Sequence, residues 1–94
     1  MQIIQKEDAW HLSGDLVVKN ITQVLDASKL LEMPANLQLD FAEVSEVDTS
    51  AISLILEFQR RAIQQHTQVI VLNVPDNLLS LMQLYGVETF IVRS

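Results

Sequence analysis

The spacing of hydrophobic residues changes from one segment of this 94-residue chain to the next, and the order of these spacings restricts the fold. Leu37, Leu39 and Phe41 alternate with polar residues, which is typical of a strand with one face on a core. Residues 48–63 carry apolar side chains at spacings of three and four, which predicts a helix of about four turns. The run 69–72 is apolar and mostly β-branched, and it predicts a central strand covered on both faces. This order is typical of parallel strands joined by a helix.

Two weaker elements precede this unit. Residues 3–14 predict a β-hairpin that ends at Gly14. Residues 21–31 have helical spacing and predict a first amphipathic helix, with Asn20 placed to cap it. The segment 42–47 predicts a short acidic connection between the strand and the long helix.

A third helix is predicted after the apolar run. Pro75 suits its first turn, and Gly86 suits a left-handed stop. Residues 90–92 predict a short last strand. The buried face of the third helix is predicted to consist of Leu78, Leu81, Met82 and Tyr85. We therefore predict an α/β fold in one domain, residues 1–94, with a mixed β-sheet of four to five strands and about three to four helices layered on it.

Charge and cysteine content exclude several classes of function. Lys and Arg number 6 and Asp and Glu number 12, for a net charge of −6, and the basic residues form no stripe, so nucleic acid and anionic membrane surfaces are unsuitable partners. The absence of cysteine removes disulfide frameworks, thiolate nucleophiles and zinc fingers. The first residues lack the pattern of a signal peptide, and no run approaches ~18 apolar residues, so we expect a cytoplasmic location.

The sequence offers no catalytic or metal-binding set. The acidic residues Asp40, Glu43, Glu46 and Asp48 lack the spacing of a calcium loop and predict a solvated connection. His11 and His66 stand far apart, without a second ligand at metal spacing, and no serine lies in a nucleophile elbow. We therefore expect a protein-binding module that is not an enzyme and that uses no cofactor or metal.

The triplet Asp48-Thr49-Ser50 begins the long helix and has two interpretations. In one, Asp48 or Thr49 caps the helix and contributes about 1 kcal/mol. In the other, Thr49 or Ser50 is an exposed hydroxyl that a partner contacts or a kinase phosphorylates, because the positive end of a helix dipole tolerates added negative charge. Spacing alone does not separate the two.

Helical geometry places Leu54 on a different side from the predicted buried face. That face is predicted to consist of Ile52, Ile55, Leu56, Gln59 and Ile63. Leu54 then points outward together with Ser50, Glu57 and Arg61. An apolar side chain rimmed by polar groups at the Thr49 end of the helix predicts a partner surface, against the alternative of a scattered surface leucine.

Several segments, taken in order, resemble the STAS domain family. These are Leu39-Asp40-Phe41, Val47-Asp48-Thr49-Ser50-Ala51 and Val69-Ile70-Val71-Leu72. Four further segments most resemble the MlaB branch of that family. They are Leu12-Ser13-Gly14-Asp15-Leu16, Arg60-Arg61-Ala62, Leu72-Asn73-Val74-Pro75 and Leu84-Tyr85-Gly86-Val87. The likeness covers nearly the whole chain and implies the STAS fold.

The resemblance also implies a function. MlaB-like proteins are accessory subunits that bind the cytoplasmic ATPase of a phospholipid-transporting ABC complex, which includes permease and lipid-binding subunits at the inner membrane. Thr49 matches their functional threonine, whereas Ser50 matches the phosphorylated serine of anti-sigma-factor antagonists. Ala51 departs from the glycine usual in the antagonists. We expect ATPase binding through the long helix, assisted by the third helix, with the antagonist switched at Ser50 as the alternative. The expected partner-binding residues are Thr49, Ser50, Leu54, Glu57 and Arg61.

Overall fold

The computed structural model describes residues 2–87 and the backbone of residues 92–93. Its strands are β1 (Ile3–Lys6), β2 (Ala9–Leu16), β3 (Asn36–Val47), β4 (Gln68–Leu72) and β5 (Val92–Arg93). Its helices are α1 (Ile21–Ser28), α2 (Thr49–Gln64) and α3 (Asp76–Leu84). No helix in this part of the chain has the length and apolar character needed to span a bilayer.

The described strands form one mixed sheet in the order β1-β2-β3-β4-β5. β1 pairs with β2 antiparallel, and the remaining neighbours are parallel. Each parallel pair is joined through a helix, and right-handed crossovers that add strands in one direction place their helices on one face of the sheet. The predicted α/β class with helices layered on a mixed sheet is therefore confirmed.

The covered face of the sheet carries the core. Trp10, Leu39 and Val71 are register neighbours on successive strands and are all buried. Phe58 of α2 packs edge-to-face on Trp10, with the ring centroids 5.2 Å apart. This aromatic pair fixes α2 against the sheet, because such pairs combine a large buried area with a preferred geometry.

The other face of the sheet is less covered than the sequence predicts. Ile70 and Leu72 of β4 are only half-buried, although Val69 and Val71 are buried. The prediction that this strand is covered on both faces is wrong, because the helices all lie on one face. A run of apolar residues is compatible with a strand covered on both faces and with a strand covered on one face. The run alone therefore did not predict that one face of β4 is partly open.

Two strands are longer than predicted. β2 continues through Gly14 to Leu16, and a register irregularity in its pairing with β3 accommodates the glycine at φ 74°. β3 continues to Val47, so the predicted acidic connection 42–47 is strand. The acidic residues 40–46 therefore lie on a strand and not in a loop. Glu43 and Glu46 are exposed to solvent as predicted, whereas Asp40 is half-buried and pairs with His11 at 3.3 Å.

The first and third helices also differ in detail from the prediction. α1 ends at Ser28, so Leu31 lies beyond it, and Asn20 makes no side-chain capping bond. In α3, Leu78 and Met82 are buried as predicted, but Tyr85 follows the helix and is 55% exposed. Gly86 has φ 68°, which confirms the left-handed stop. Of the predicted last strand, residues 90 and 91 lie outside the described residues.

Candidate functional site

The start of α2 is organised by the carboxylate of Asp48. One of its oxygens accepts a hydrogen bond from the Ser50 backbone amide at 2.8 Å, which confirms Asp48 as the helix cap. The other oxygen accepts from the backbone amide of Val18 at 3.0 Å, in the connection between β2 and α1. The hydrogen bond from Val18, followed by those from Ser50, lowers the pKa of the Asp48 carboxyl below its usual value.

Thr49 and Ser50 differ in accessibility. Thr49 is exposed at the first position of α2, whereas Ser50 is half-buried and its amide is held by the cap. The capping interpretation is therefore confirmed for Asp48, and the exposed hydroxyl that the other interpretation requires lies on Thr49. Asp48 is the cap, and Thr49 is left with an accessible hydroxyl at the positive end of the helix.

Leu54 lies inside the protein. Its exposed fraction is 0%, and it belongs to the hydrophobic core. The prediction that Leu54 forms an outward apolar patch is wrong. α2 is apolar around most of its circumference, so spacing alone left its rotation undetermined. The buried residues of the helix are Ala51, Ile52, Leu54, Ile55, Phe58 and Ala62.

The same rotation places Glu57 and Arg61 on the flank of α2 that faces α1. The Arg61 side chain is 13% exposed, donates to Ser28 Oγ at 2.8 Å and stacks over the Phe58 ring. Arg60 and Arg61 both donate to Glu57, and these hydrogen bonds lower the pKa of Glu57 to about 2. The predicted polar rim around Leu54 is therefore wrong in its placement, because Arg61 ties α2 to α1.

The outward face of α2 carries different residues from those predicted. Its members recur at spacings of three and four, and we call them the docking stripe. They are Thr49, Ser53, Leu56, Arg60 and Ile63. Leu56 is 44% and Ile63 66% exposed, although both were predicted to pack on the sheet. The helical repeat that starts at Thr49 in the sequence could have identified the stripe.

Exposed apolar side chains also lie at the ends of neighbouring elements. Val18 is 73% exposed in the connection that Asp48 holds against the start of α2. Leu84 is 75% exposed at the end of α3, which packs beside α2. Contiguous exposed apolar patches are typical of protein-binding surfaces, and both side chains belong to segments that adjoin α2.

The described side chains provide no group of three or more His, Cys, Asp or Glu that could hold a metal ion. Asp40 and His11 form a pair on the sheet, but Asp40 also accepts from the backbone amide of Ala42 and from Asn73. Its oxygens are thus engaged within the chain, and the arrangement serves the sheet surface.

A family model described as "Mlab, STAS domain" matches residues 2–93. The chain belongs to the STAS domain family. The match is to the MlaB-like model of that family, so the resemblance inferred from the sequence is confirmed. STAS domains are generally non-catalytic modules of regulation and protein–protein interaction, and they also occur with transporters. Comparison with curated proteins gives no match.

Solved structures share the STAS fold at low sequence identity. The unphosphorylated anti-sigma factor antagonist SpoIIAA is 17% identical, with a TM-score of 0.74 over 99% of this chain and 86% of that one. A sulfate transporter family protein from Wolinella succinogenes is 18% identical, with a TM-score of 0.73 over 92% of this chain and 75% of that one. A serine-to-glutamate variant of RsbS from Moorella thermoacetica is 12% identical, with a TM-score of 0.67 over 100% of this chain and 87% of that one.

Proposed function

We propose that this STAS domain is a non-catalytic accessory subunit that binds the cytoplasmic ATPase of a phospholipid-transporting ABC complex. The partner docks on the docking stripe of α2, with Thr49 as its central polar contact and the end of α3 beside it. The domain thereby reaches the inner face of the inner membrane through its partner. The match to the MlaB-like family model supports the partner class, and the docking stripe supports the place of contact.

The observation that carries the proposal is the exposure of Thr49 together with Leu56 and Ile63 on one helix face. The stripe spans roughly 21 Å at 1.5 Å per residue, which is long enough for a helix-based interface. Leu56 and Ile63 provide apolar area in water, and Thr49, Ser53 and Arg60 provide polar groups around it. Interfaces commonly combine an apolar centre with a polar rim.

Glu57 and Arg61 contribute to this surface through the position of α2 and not through direct contact. Their mutual hydrogen bond and the bond from Arg61 to Ser28 already satisfy their main polar groups. Leu54 contributes through the core. Ser50, next to the cap, lies at the edge of the contact area.

The experiment that tests the proposal is replacement of Thr49 with Glu, followed by co-purification with the ATPase subunit. The added carboxylate is buried without a partner when the complex forms, which costs free energy of binding. The isolated domain tolerates it, because acidic groups are favourable at a helix start. We expect co-purification to be abolished and the melting temperature to be nearly unchanged.

The matched control is Gln38→Glu. Gln38 is exposed on β3 between the buried Leu37 and Leu39, so it receives one negative charge on the sheet face opposite the helices. We expect this variant to co-purify with the ATPase as the unaltered chain does. Co-purification of the Thr49→Glu variant would contradict the proposed contact, and loss of binding in both variants would indicate a general effect of charge.

A second function is supported by the likeness to antagonist structures and by Ser50 at the helix start. In this alternative the domain is an anti-sigma-factor antagonist that is switched by phosphorylation of Ser50. The half-buried Ser50 lies directly beside the Asp48 carboxylate, so an added phosphate would repel the cap. Such repulsion gives a switch a physical basis.

Intact-mass measurement of the chain purified from its native cells tests this alternative. One phosphate that is lost in Ser50→Ala and kept in Thr49→Ala would favour the antagonist function. A phosphate that follows Thr49 would place the modification on the exposed hydroxyl instead. An unmodified mass in every preparation would argue against the switch.

A further inference from the structure

The connection between β2 and α1 holds an exposed apolar side chain in a closed turn. Val18 is 73% exposed, yet the backbone around it is fixed. Asn20 Oδ1 accepts from the Val17 amide at 3.1 Å, and the amides of Asn20 and Ile21 both donate to the Val17 carbonyl at 3.0 Å. A valine held in this way can contribute to binding without a large loss of backbone entropy.

Asp48 joins this turn to the start of α2. Its carboxylate accepts from Val18 with one oxygen and from Ser50 with the other, across a separation of 30 residues in the first case. The Asp48 amide also donates to the Leu16 carbonyl at 3.3 Å, which fixes the backbone from which the carboxylate extends. The backbone bond brings the end of β2 to the start of α2, and the Asp48 side chain then holds the Val18 backbone close to Thr49.

We propose that Asp48 is a positioning residue that holds Val18 beside Thr49, so that the turn and the docking stripe contact the same ATPase subunit. This inference rests on the proposed function and extends its surface from one helix to two segments. Val18 supplies an apolar contact at the Thr49 end of the stripe. Asp48 acts on the partner through Val18.

Asparagine at position 48 separates this role from helix capping. Asn is as good a cap as Asp, so the bond to Ser50 can be kept. Its amide has one acceptor oxygen in place of two, and the NH₂ group cannot accept from Val18. Asp48→Asn therefore removes the link to the turn while the start of α2 remains capped.

The first arm of the test needs no partner. Hydrogen exchange of the Val18 amide is measured by NMR in the unaltered domain and in Asp48→Asn. We expect exchange at Val18 to accelerate about tenfold or more, because the amide loses its acceptor. The Ser50 amide should change much less. Unchanged protection of Val18 would overturn the coupling.

The second arm is a double-mutant cycle on binding to the purified ATPase subunit. We expect Val18→Ala and Asp48→Asn each to weaken binding by about tenfold, and the double variant to be no weaker than either single one. Leu30→Ala, at an exposed leucine that belongs neither to the docking stripe nor to the turn, is the matched control and should leave affinity unchanged. An additive loss of about a hundredfold would show that Asp48 acts independently of Val18, as a merely structural residue would, and would overturn the proposal.

The two arms separate this inference from the proposed function. If the unaltered domain does not bind the ATPase, the proposed function fails, and the shared surface inferred for Val18 and Thr49 fails with it. Hydrogen exchange still determines whether Asp48 fixes the turn. If the unaltered domain binds and the effects of the two substitutions add, only the inference fails.

Discussion

Two faces of α2 differ in how fully the rest of the chain covers them. On the side facing α1 and the sheet, Leu54 and Phe58 are buried and Arg61 bonds to Ser28. On the docking stripe, Leu56 and Ile63 remain in water. Both faces are rich in apolar residues, so composition does not tell which one the fold uses. The difference indicates that one face of the helix stabilises the domain and the other is available to a partner.

The largest expected effect compares two leucines on these faces. Leu54→Ala should lower the free energy of unfolding by about 2–5 kcal/mol, because it leaves a cavity in a closely packed core. Leu56→Ala should lower it by less than about 1 kcal/mol, since Leu56 is already 44% exposed. Chemical denaturation of both variants measures the difference. Equal losses would contradict the assigned rotation of α2.

A smaller effect separates two adjacent arginines. Arg61→Ala should cost about 1–2 kcal/mol of unfolding free energy, because Arg61 packs on Phe58 and bonds to Ser28. Arg60→Ala should cost about 0.5 kcal/mol or less, since its pair with Glu57 lies at the surface. Thermal unfolding distinguishes the two. A greater loss at Arg60 would show that the link to α1 has little effect on stability.

The sequence predicted much of this fold, because its strongest patterns are local. The strand at Leu37 to Phe41, the cap at Asp48 and the stop at Gly86 depend on neighbouring residues, and each is confirmed. The rotation of α2 was missed because it depends on Trp10, far upstream in the sequence, against which Phe58 packs. Periodicity alone does not specify which of several apolar arcs meets that ring.

The candidate site was predicted only in part, because some of its residues are placed by local patterns and others by tertiary contacts. Thr49 follows directly from its place after the cap, and its exposure agrees with the prediction. Val18 carries no local signal, since tertiary contacts bring it to the helix start, among them the hydrogen bond from its amide to Asp48. Arg61 looks like a surface residue in the sequence, and its bond to Ser28 is a tertiary contact.

The smallest expected effect is a change in the pH dependence of stability. Glu57 has a pKa of about 2 in the folded chain, below its ordinary value of 4.5, so its ion pairs stabilise the domain fully above pH 4.5. That contribution is lost as the pH falls from 4.5 towards 2, because the folded chain must then take up a proton. In Glu57→Gln the contribution is absent at every pH.

Denaturation of the unaltered chain and of Glu57→Gln, compared between pH 7 and pH 3, measures this effect. The unaltered chain should be the more stable at pH 7, and the difference should shrink at pH 3. A difference that stays constant over this range would show that the charge of Glu57 does not contribute to the link between α2 and α1.

The central claim is that the outward face of α2 serves a partner and not the fold, and binding of Leu56→Glu to the purified ATPase subunit tests it most directly. The matched variant is Leu30→Glu, which makes the same change at a leucine that is 83% exposed and lies off the docking stripe. We predict that Leu56→Glu weakens binding by about tenfold or more at nearly unchanged stability, while Leu30→Glu binds normally. Equal affinity of the two variants would contradict the claim.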